Sequence, residues 1–296
     1  MGRTALPMWM RRCCDMSTIR ELNIYPLKSG RGIPLRSVRL AASGFEWDRH
    51  WMAVDASGEF VTQRTHPRLA RIEPVIDAST LTLHAQGLSP LQLPLAPGGD
   101  PVPVRVWKDR CNALDQGDEA GEWISEVVGD TLRLVRVAPA MQRQANTAYA
   151  GPEPVPLAFP DGYPLLVVSR SSLDDLNARM PQPVPMTRFR PNIVIEGLPP
   201  FAEDRLDTLS VGSVTLHLVK PCTRCIITST DQLTGERTTD PLPVLRKFRF
   251  NRRLLGLAFG ENAVIAAGVG ERIEVGAGCV ASLRDAPLDM RIVTAQ

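Results

Sequence analysis

The chain has 296 residues, 44% hydrophobic and 22% charged, with a net charge of +2. That length supports one large or two medium domains with ample core, and so small a charge excludes recognition of nucleic acid or a membrane surface by bulk electrostatics. No run approaches the ~18 apolar residues of a spanning helix, so no membrane anchor is expected. Six cysteines in so long a chain make no disulfide framework and fit a reducing, cytoplasmic setting.

Residues 1–16 carry Trp9, Arg11-Arg12 and Cys13-Cys14 but no apolar signal-peptide core, and read as a disordered extension. From Ile19 the pattern turns to strand, through Ile24-Tyr25-Pro26-Leu27-Lys28-Ser29-Gly30. Further short strands are predicted at Ser37–Ala41, Trp51–Val54, Phe60–Thr62, Ala70–Ile76, Thr80–His84, Leu91–Leu95 and Val102–Val106. Turn residues separate them at close spacing, as in an antiparallel barrel or sandwich. Asp118 to Val128 reads as a helix, with acids in its first turn and Gly129 at its end. Leu132–Val137 resumes the strands. A polar, proline-bearing stretch over 139–160 reads as a linker or long surface loop.

The second half opens with a buried strand at Tyr163–Ser169 and a short helix at Ser171–Met180. Strands follow at Ile193, Val211–Val219, Ile226–Thr230, Ala263–Ala267 and Arg272–Val275, with a helix at Pro241–Phe248. Two domains result, 17–138 and 161–284, with a tail over 285–296.

The densest chemistry lies in Lys220-Pro221-Cys222-Thr223-Arg224-Cys225. Thiolates are soft-metal ligands, and the neighbouring cations favour ionised sulfur. Three readings stand. A redox pair should open a helix, which Pro221 and the β-branched run after Cys225 oppose. Structural zinc needs about four ligands, and only His217 lies near, Cys111 and Cys279 being isolated. Two small buried hydrophobes are the plain alternative. Elsewhere cations recur at strand ends: Lys28 with Ser29, Arg49 before Trp51, and Arg188 and Arg190 before Asn192. Such a set either converges on an anionic, phosphate-bearing cofactor or is scattered surface charge. No dinucleotide fingerprint, P-loop, Ser–His–Asp pattern or zinc-protease motif is present.

Five segments together resemble the molybdenum-cofactor sulfurase C-terminal (MOSC) superfamily, and within it the amidoxime-reducing group. They are Asn23–Ser29, Trp47-Asp48-Arg49, Phe189-Arg190-Pro191-Asn192-Ile193, Phe201-Ala202-Glu203-Asp204 and Lys220–Cys225. The likeness runs from Ile19 to Leu283. Phe201 stands where relatives often carry tyrosine. The resemblance implies a mostly β fold with a few short helices: an N-terminal β-barrel-like domain, then a MOSC β-barrel domain. A molybdenum-molybdopterin cofactor would lie between them, with Cys225 as metal ligand and catalytic residue. Positions matching the family's cofactor contacts are Lys28, Ser29, Arg49, Arg190, Asn192, Thr223 and Arg224, with Ser169 and Arg170 at another.

The implied activity is reduction of small N-hydroxylated compounds (amidoximes, hydroxylamines, N-hydroxylated bases) by oxygen transfer to molybdenum. The alternative is a molybdenum-cofactor carrier or cysteine-persulfide relay. Only Cys279 follows the pair, so no iron–sulfur cluster of its own is expected. A separate electron-donor reductase, ferredoxin-type or cytochrome b5-type, is the implied partner. Asp48 and His50 flank Arg49 and are the candidates for a general acid, with a structural role the favoured reading.

Overall fold

The computed structural model describes residues 17–284. The expected extension over 1–16, with Cys13 and Cys14, and the tail over 285–296 lie outside the described residues. The structure is mostly β, and its centre is a barrel of seven strands. Around the barrel run Leu165–Ser169, Ile193–Glu196, Ser17–Ile24, Gly278–Leu283, Leu206–Val211, Val214–Arg224 and Gly256–Ala267. The last pairs back onto the first, Leu165 opposite Ala263, so no edge is left open. All neighbours are antiparallel except Leu165–Ser169 and Ile193–Glu196, which a helix at Arg170–Ala178 connects. A parallel pair needs such a crossover.

Alternation explains how the barrel fills. Leu165, Val167, Ile193, Ile195, Leu216 and Leu218 join its interior cluster. Leu166, Val168 and Val194, one residue out of phase, pack outside with Leu173 and Leu176 of the crossover helix. Both faces are thus covered, which is why Leu165–Ser169 is buried at every position and apolar at the first four.

The first half carries a four-stranded sheet in the order Trp51–Val54, Arg133–Val137, Asp109–Asp115, Pro101–Val106, and a three-stranded meander of Glu73–Ile76, Thr80–His84 and Leu91–Pro94. The helix Asp118–Val128 lays Ala120, Ile124 and Val128 against Leu81, Leu83 and Leu134. It stops at Gly129, whose φ of 81° lets its N–H reach back to the Ser125 carbonyl. A cut between 138 and 161 does not separate two sheets. Ser17–Ile24 is a stave of the far barrel, and Ser37–Ala41 pairs with Arg272–Glu274.

Several expectations change. Ile226–Thr230 is no strand but a single tight 3-10 turn, Ile226–Ser229. Thr228 Oγ1 donates to the Cys225 carbonyl and Ser229 Oγ to that of Ile226, so side chains satisfy the backbone that a sheet would have used. Val211–Val219 spans a hairpin: the turn at Gly212-Ser213 splits it between two strands. Ala70 and Arg71 belong to a 3-10 turn ahead of Glu73–Ile76, and Phe60 makes only isolated bridges. Strands at Asp109–Asp115 and Gly278–Leu283 were not expected. The 139–160 stretch is also packed down. Buried Arg143 donates to the carbonyls of Ala158, Pro160 and Asp161, and Leu157 and Phe159 are in the core. Among the described residues no helix is long and apolar enough to cross a membrane.

Candidate functional site

A cleft of about 150 Å³ lies where the two halves meet. The first half supplies Lys28, Ser29, Arg49 and Arg64, and the second supplies Arg190, Asn192, Thr223, Arg224 and Cys225. Eight of the ten residues singled out from the sequence are therefore neighbours. Ser169 and Arg170 do not join them. Ser169 is buried beneath the crossover helix, where its N–H donates to Glu203 Oε1, while exposed Arg170 pairs with Asp174 one helical turn on.

Local backbone strain marks the cationic wall. Ser29, Arg49 and Arg190 have φ of 68°, 53° and 56°, a left-handed conformation costing an L-residue roughly 1–2 kcal/mol. Such strain persists only where surroundings over-determine it, as functional sites do. Here the Arg49 N–H is tied to the Tyr25 carbonyl at 2.8 Å, and Phe189, just before Arg190, stacks on Phe259 at 4.1 Å. Removing the fully buried Phe189 ring would cost about 3–5 kcal/mol and release Arg190 with it.

Tyr25 organises the two arginines. Both guanidinium carbons lie 4.3 Å from its ring centroid, so the electron-rich face offsets their mutual repulsion. Burial raises the Tyr25 pKa to about 12 although both arginines pull it down, so the hydroxyl stays neutral and donates to the Pro191 carbonyl at 3.0 Å. Arg49 Nη1 donates to Asp48 Oδ2 and to Asn192 Oδ1, at 2.5 and 3.0 Å. Arg190 Nη1 donates to the Gly30 carbonyl and Gln232 Oε1, at 2.6 and 3.0 Å. Burial lowers the Arg190 pKa to about 10, which still leaves it charged at neutrality.

Opposite stands an ion-pair chain that motif reasoning missed. Asp161 Oδ1 accepts from Lys28 Nζ at 2.5 Å and Oδ2 from Arg64 Nη2 at 2.7 Å. Lost hydration works against the Asp161 charge, but the two cations outweigh it and hold its pKa below the usual carboxylate range. Burial draws Lys28 down to about 8, with Asp161 resisting. Burial also disfavours the Arg64 charge, yet Asp161 and the Cys225 sulfur more than restore it, so that its pKa rises. Arg64 thus links the carboxylate to the thiol.

The cysteines differ in setting. Cys222 lies inside the strand Val214–Arg224 and its sulfur accepts from Arg224 Nη1 at 2.9 Å. Cys225 sits just beyond the strand, heading the 3-10 turn, and both thiols are free. Among the described residues no three His, Cys, Asp or Glu side chains are disposed to share a metal. Burial drops the His50 pKa to about 4 and raises that of Asp48; neither lines the cleft.

The donor set fits an anionic cofactor. Five cations and one carboxylate line the cleft. Arg64 Nη1 and Arg224 Nε are buried there without a hydrogen-bond partner among the described residues. Buried donors left unpaired are costly, and an anion would satisfy them. A thiol presented at the end of a barrel strand, within that ring of cations, defines the class: residues 16–131 match the MOSC N-terminal beta barrel domain and residues 154–279 the MOSC domain. The chain belongs to this molybdenum-cofactor-related family.

Its relatives there include mitochondrial amidoxime-reducing components. The component 1 protein of Mus musculus is 36% identical over 83% of this chain and 76% of its own length. That of Homo sapiens is 35% identical over 89% of this chain and 83% of its own. Component 2 of Bos taurus is 34% identical over 83% and 76%.

Proposed function

We propose that this chain is a molybdenum-cofactor-dependent reductase of N-hydroxylated compounds such as amidoximes. The observation that carries the reading is the thiol of Cys225 beside Arg64, in a cleft that gathers five cations and is lined by Cys222 as well. Its relatives' names supply the reaction class. When bound, the cofactor would supply a soft-sulfur metal centre suited to two-electron oxygen-atom chemistry.

The chain's own residues divide the remaining work. The Cys225 thiolate is the protein's donor to the metal, and Arg64 offsets its negative charge. Arg49, Arg190 and Arg224 would hold a phosphate by charge-assisted bonds from the guanidinium N–H groups that the protein does not already engage. Asn192 fixes the aim of Arg49 through its Oδ1, which also accepts from the Leu166 N–H. Lys28 Nζ holds a proton at neutral pH against Asp161, and both its partners are oxygens of the 159–161 segment. Electrons would come from a separate reductase.

Cofactor analysis joined to an activity assay tests the proposal. Protein made in a host that synthesises molybdenum cofactor should hold about one molybdenum and one pterin per chain. With an artificial donor it should reduce benzamidoxime to benzamidine; with NADH alone it should not. Stoichiometric zinc without pterin would overturn the cofactor assignment. Bound pterin without reduction would mark a carrier.

A further inference from the structure

A second groove opens off the thiol cleft and shares Asp161, Gly162 and Tyr163 with it. One wall is the tip of the hairpin joining Pro101–Val106 to Asp109–Asp115. There Trp107 is 46% exposed, in a left-handed conformation with φ of 57°. Bulky residues adopt that conformation rarely. The Trp107 indole packs against Phe60 at 5.0 Å and beneath the Arg64 guanidinium at 4.8 Å. Since Arg64 also bears on Cys225, the exposed indole is two contacts from the thiol.

The other wall is Tyr163 and Lys220. Tyr163 is 9% exposed, and its hydroxyl is buried without a partner among the described residues. Burial holds its pKa at about 12, so it offers a neutral O–H. Lys220 Nζ lies 5.8 Å from its ring centroid. Most groove charges are paired: Arg105 with Glu59, Arg143 with Asp109, and Asp161 with Lys28 and Arg64. Lys108 and Lys220 have no carboxylate partner among the described residues, and Lys220 Nζ also lies over the Tyr149 ring at 4.8 Å.

We infer that this groove is the subsite for the non-reacting part of the substrate, and that it takes a planar aryl group carrying an anionic substituent. The inference rests on the reductase reading. A half-exposed indole offers an aromatic ring a face for stacking. The unpaired ammonium groups favour negative charge, and the Tyr163 hydroxyl can donate to it. Because the groove opens into the thiol cleft, whatever lies in it extends from the group being reduced. Trp107 is thereby a specificity-determining residue.

The test compares benzamidoxime, its 4-carboxy and 4-trimethylammonio derivatives, and acetamidoxime on cofactor-loaded protein. Trp107→Ala should raise KM for benzamidoxime about five- to tenfold with kcat little changed. It should leave acetamidoxime within about twofold, and Trp107→Phe should restore most of the loss. The native protein should favour the carboxylate over the cation by about tenfold in kcat/KM, and Lys220→Ala should shrink that ratio. Equal effects of Trp107→Ala on aryl and methyl substrates, or no charge preference, would overturn the subsite. Calorimetric binding of 4-carboxybenzamidoxime separates the two claims. Binding that weakens in Trp107→Ala, with no turnover by native protein, keeps the subsite and removes the reductase reading. Binding indifferent to Trp107, or none at all, removes the subsite whatever the turnover.

Discussion

Replacing each cysteine of the pair with serine should have very different consequences. In Cys222→Ser the lost contact is one hydrogen bond from Arg224 Nη1, while Arg224 Nη2 keeps its 2.6 Å bond to the Phe189 carbonyl. A serine oxygen can still accept, so the cost stays below about 1 kcal/mol, or less than about fivefold in activity per bound metal. Cys225→Ser removes an ionisable sulfur that faces Arg64. A contact of that kind to a charged guanidinium is worth roughly 1.5–3 kcal/mol. Both groups are partly exposed, so screening holds this to about 2 kcal/mol, some 30-fold. Loss of a soft metal ligand comes on top, because a hydroxyl is harder and far less acidic. Turnover per bound molybdenum, with an artificial donor, measures both variants on one scale. Cys225→Ser should lie at least about tenfold below Cys222→Ser. Equal damage from the two would refute the reasoning and point to a disulfide or a shared metal. Near-normal turnover in both would leave only a structural pair.

Three further predictions concern charge. Arg190→Ala removes a guanidinium fork, worth roughly 1.5–3 kcal/mol to a bound phosphate, so cofactor occupancy should fall at least about tenfold in a cofactor-limited host; unchanged occupancy would make Arg190 a mere tie to Gly30 and Gln232. Lys28 loses its proton as pH rises through about 8, so cofactor retention should weaken above that pH. Lys28→Gln should flatten the profile, and a native profile flat from pH 7 to 9 would contradict it. Glu261 is fully buried and neither carboxylate oxygen has a hydrogen-bond partner among the described residues; burial, with the Asp204 charge nearby, raises its pKa well above the ordinary value although Arg284, 3.7 Å away, pulls it down. The folded state then binds that proton more tightly than the unfolded one, so stability declines as pH climbs above the unfolded value of ~4.3. Glu261→Gln should melt higher than native protein at pH 8, with the gap closing at pH 5; parallel melting curves would refute this.

The parts of the site that were legible in the sequence are those carried by consecutive residues. Lys28-Ser29, Phe189-Arg190-Pro191-Asn192 and Cys222-Thr223-Arg224-Cys225 each join strand-like flanks to charged or soft-ligand side chains. The structure brings all three to one cleft. Arg64 and Asp161 were invisible because each stands alone in a loop, and only tertiary packing brings them within 2.7 Å. Tyr25 looked like an ordinary strand residue; its use as a platform depends on two arginines, one of them 165 positions away. Local pattern also misled where side chains compete with the sheet, as in the β-branched Ile226–Thr230. Ser169 matched a family position, but its N–H and hydroxyl are engaged under the crossover helix.

The strand Ser17–Ile24 sits between Ile193–Glu196 and Gly278–Leu283 in the barrel wall. On the ribosome Ser17–Ile24 therefore waits for Gly278–Leu283, and the wall cannot close until about 260 further residues have emerged. Contacts of such long sequence separation are slow to form, because loop closure must precede any reward. Until then the interior face of that strand, with Ile19 and Leu22, stays open to wrong partners. The two sequence domains are thus not interchangeable modules. A recombination event that carried the MOSC half into another protein without Ser17–Ile24 would leave its barrel one stave short.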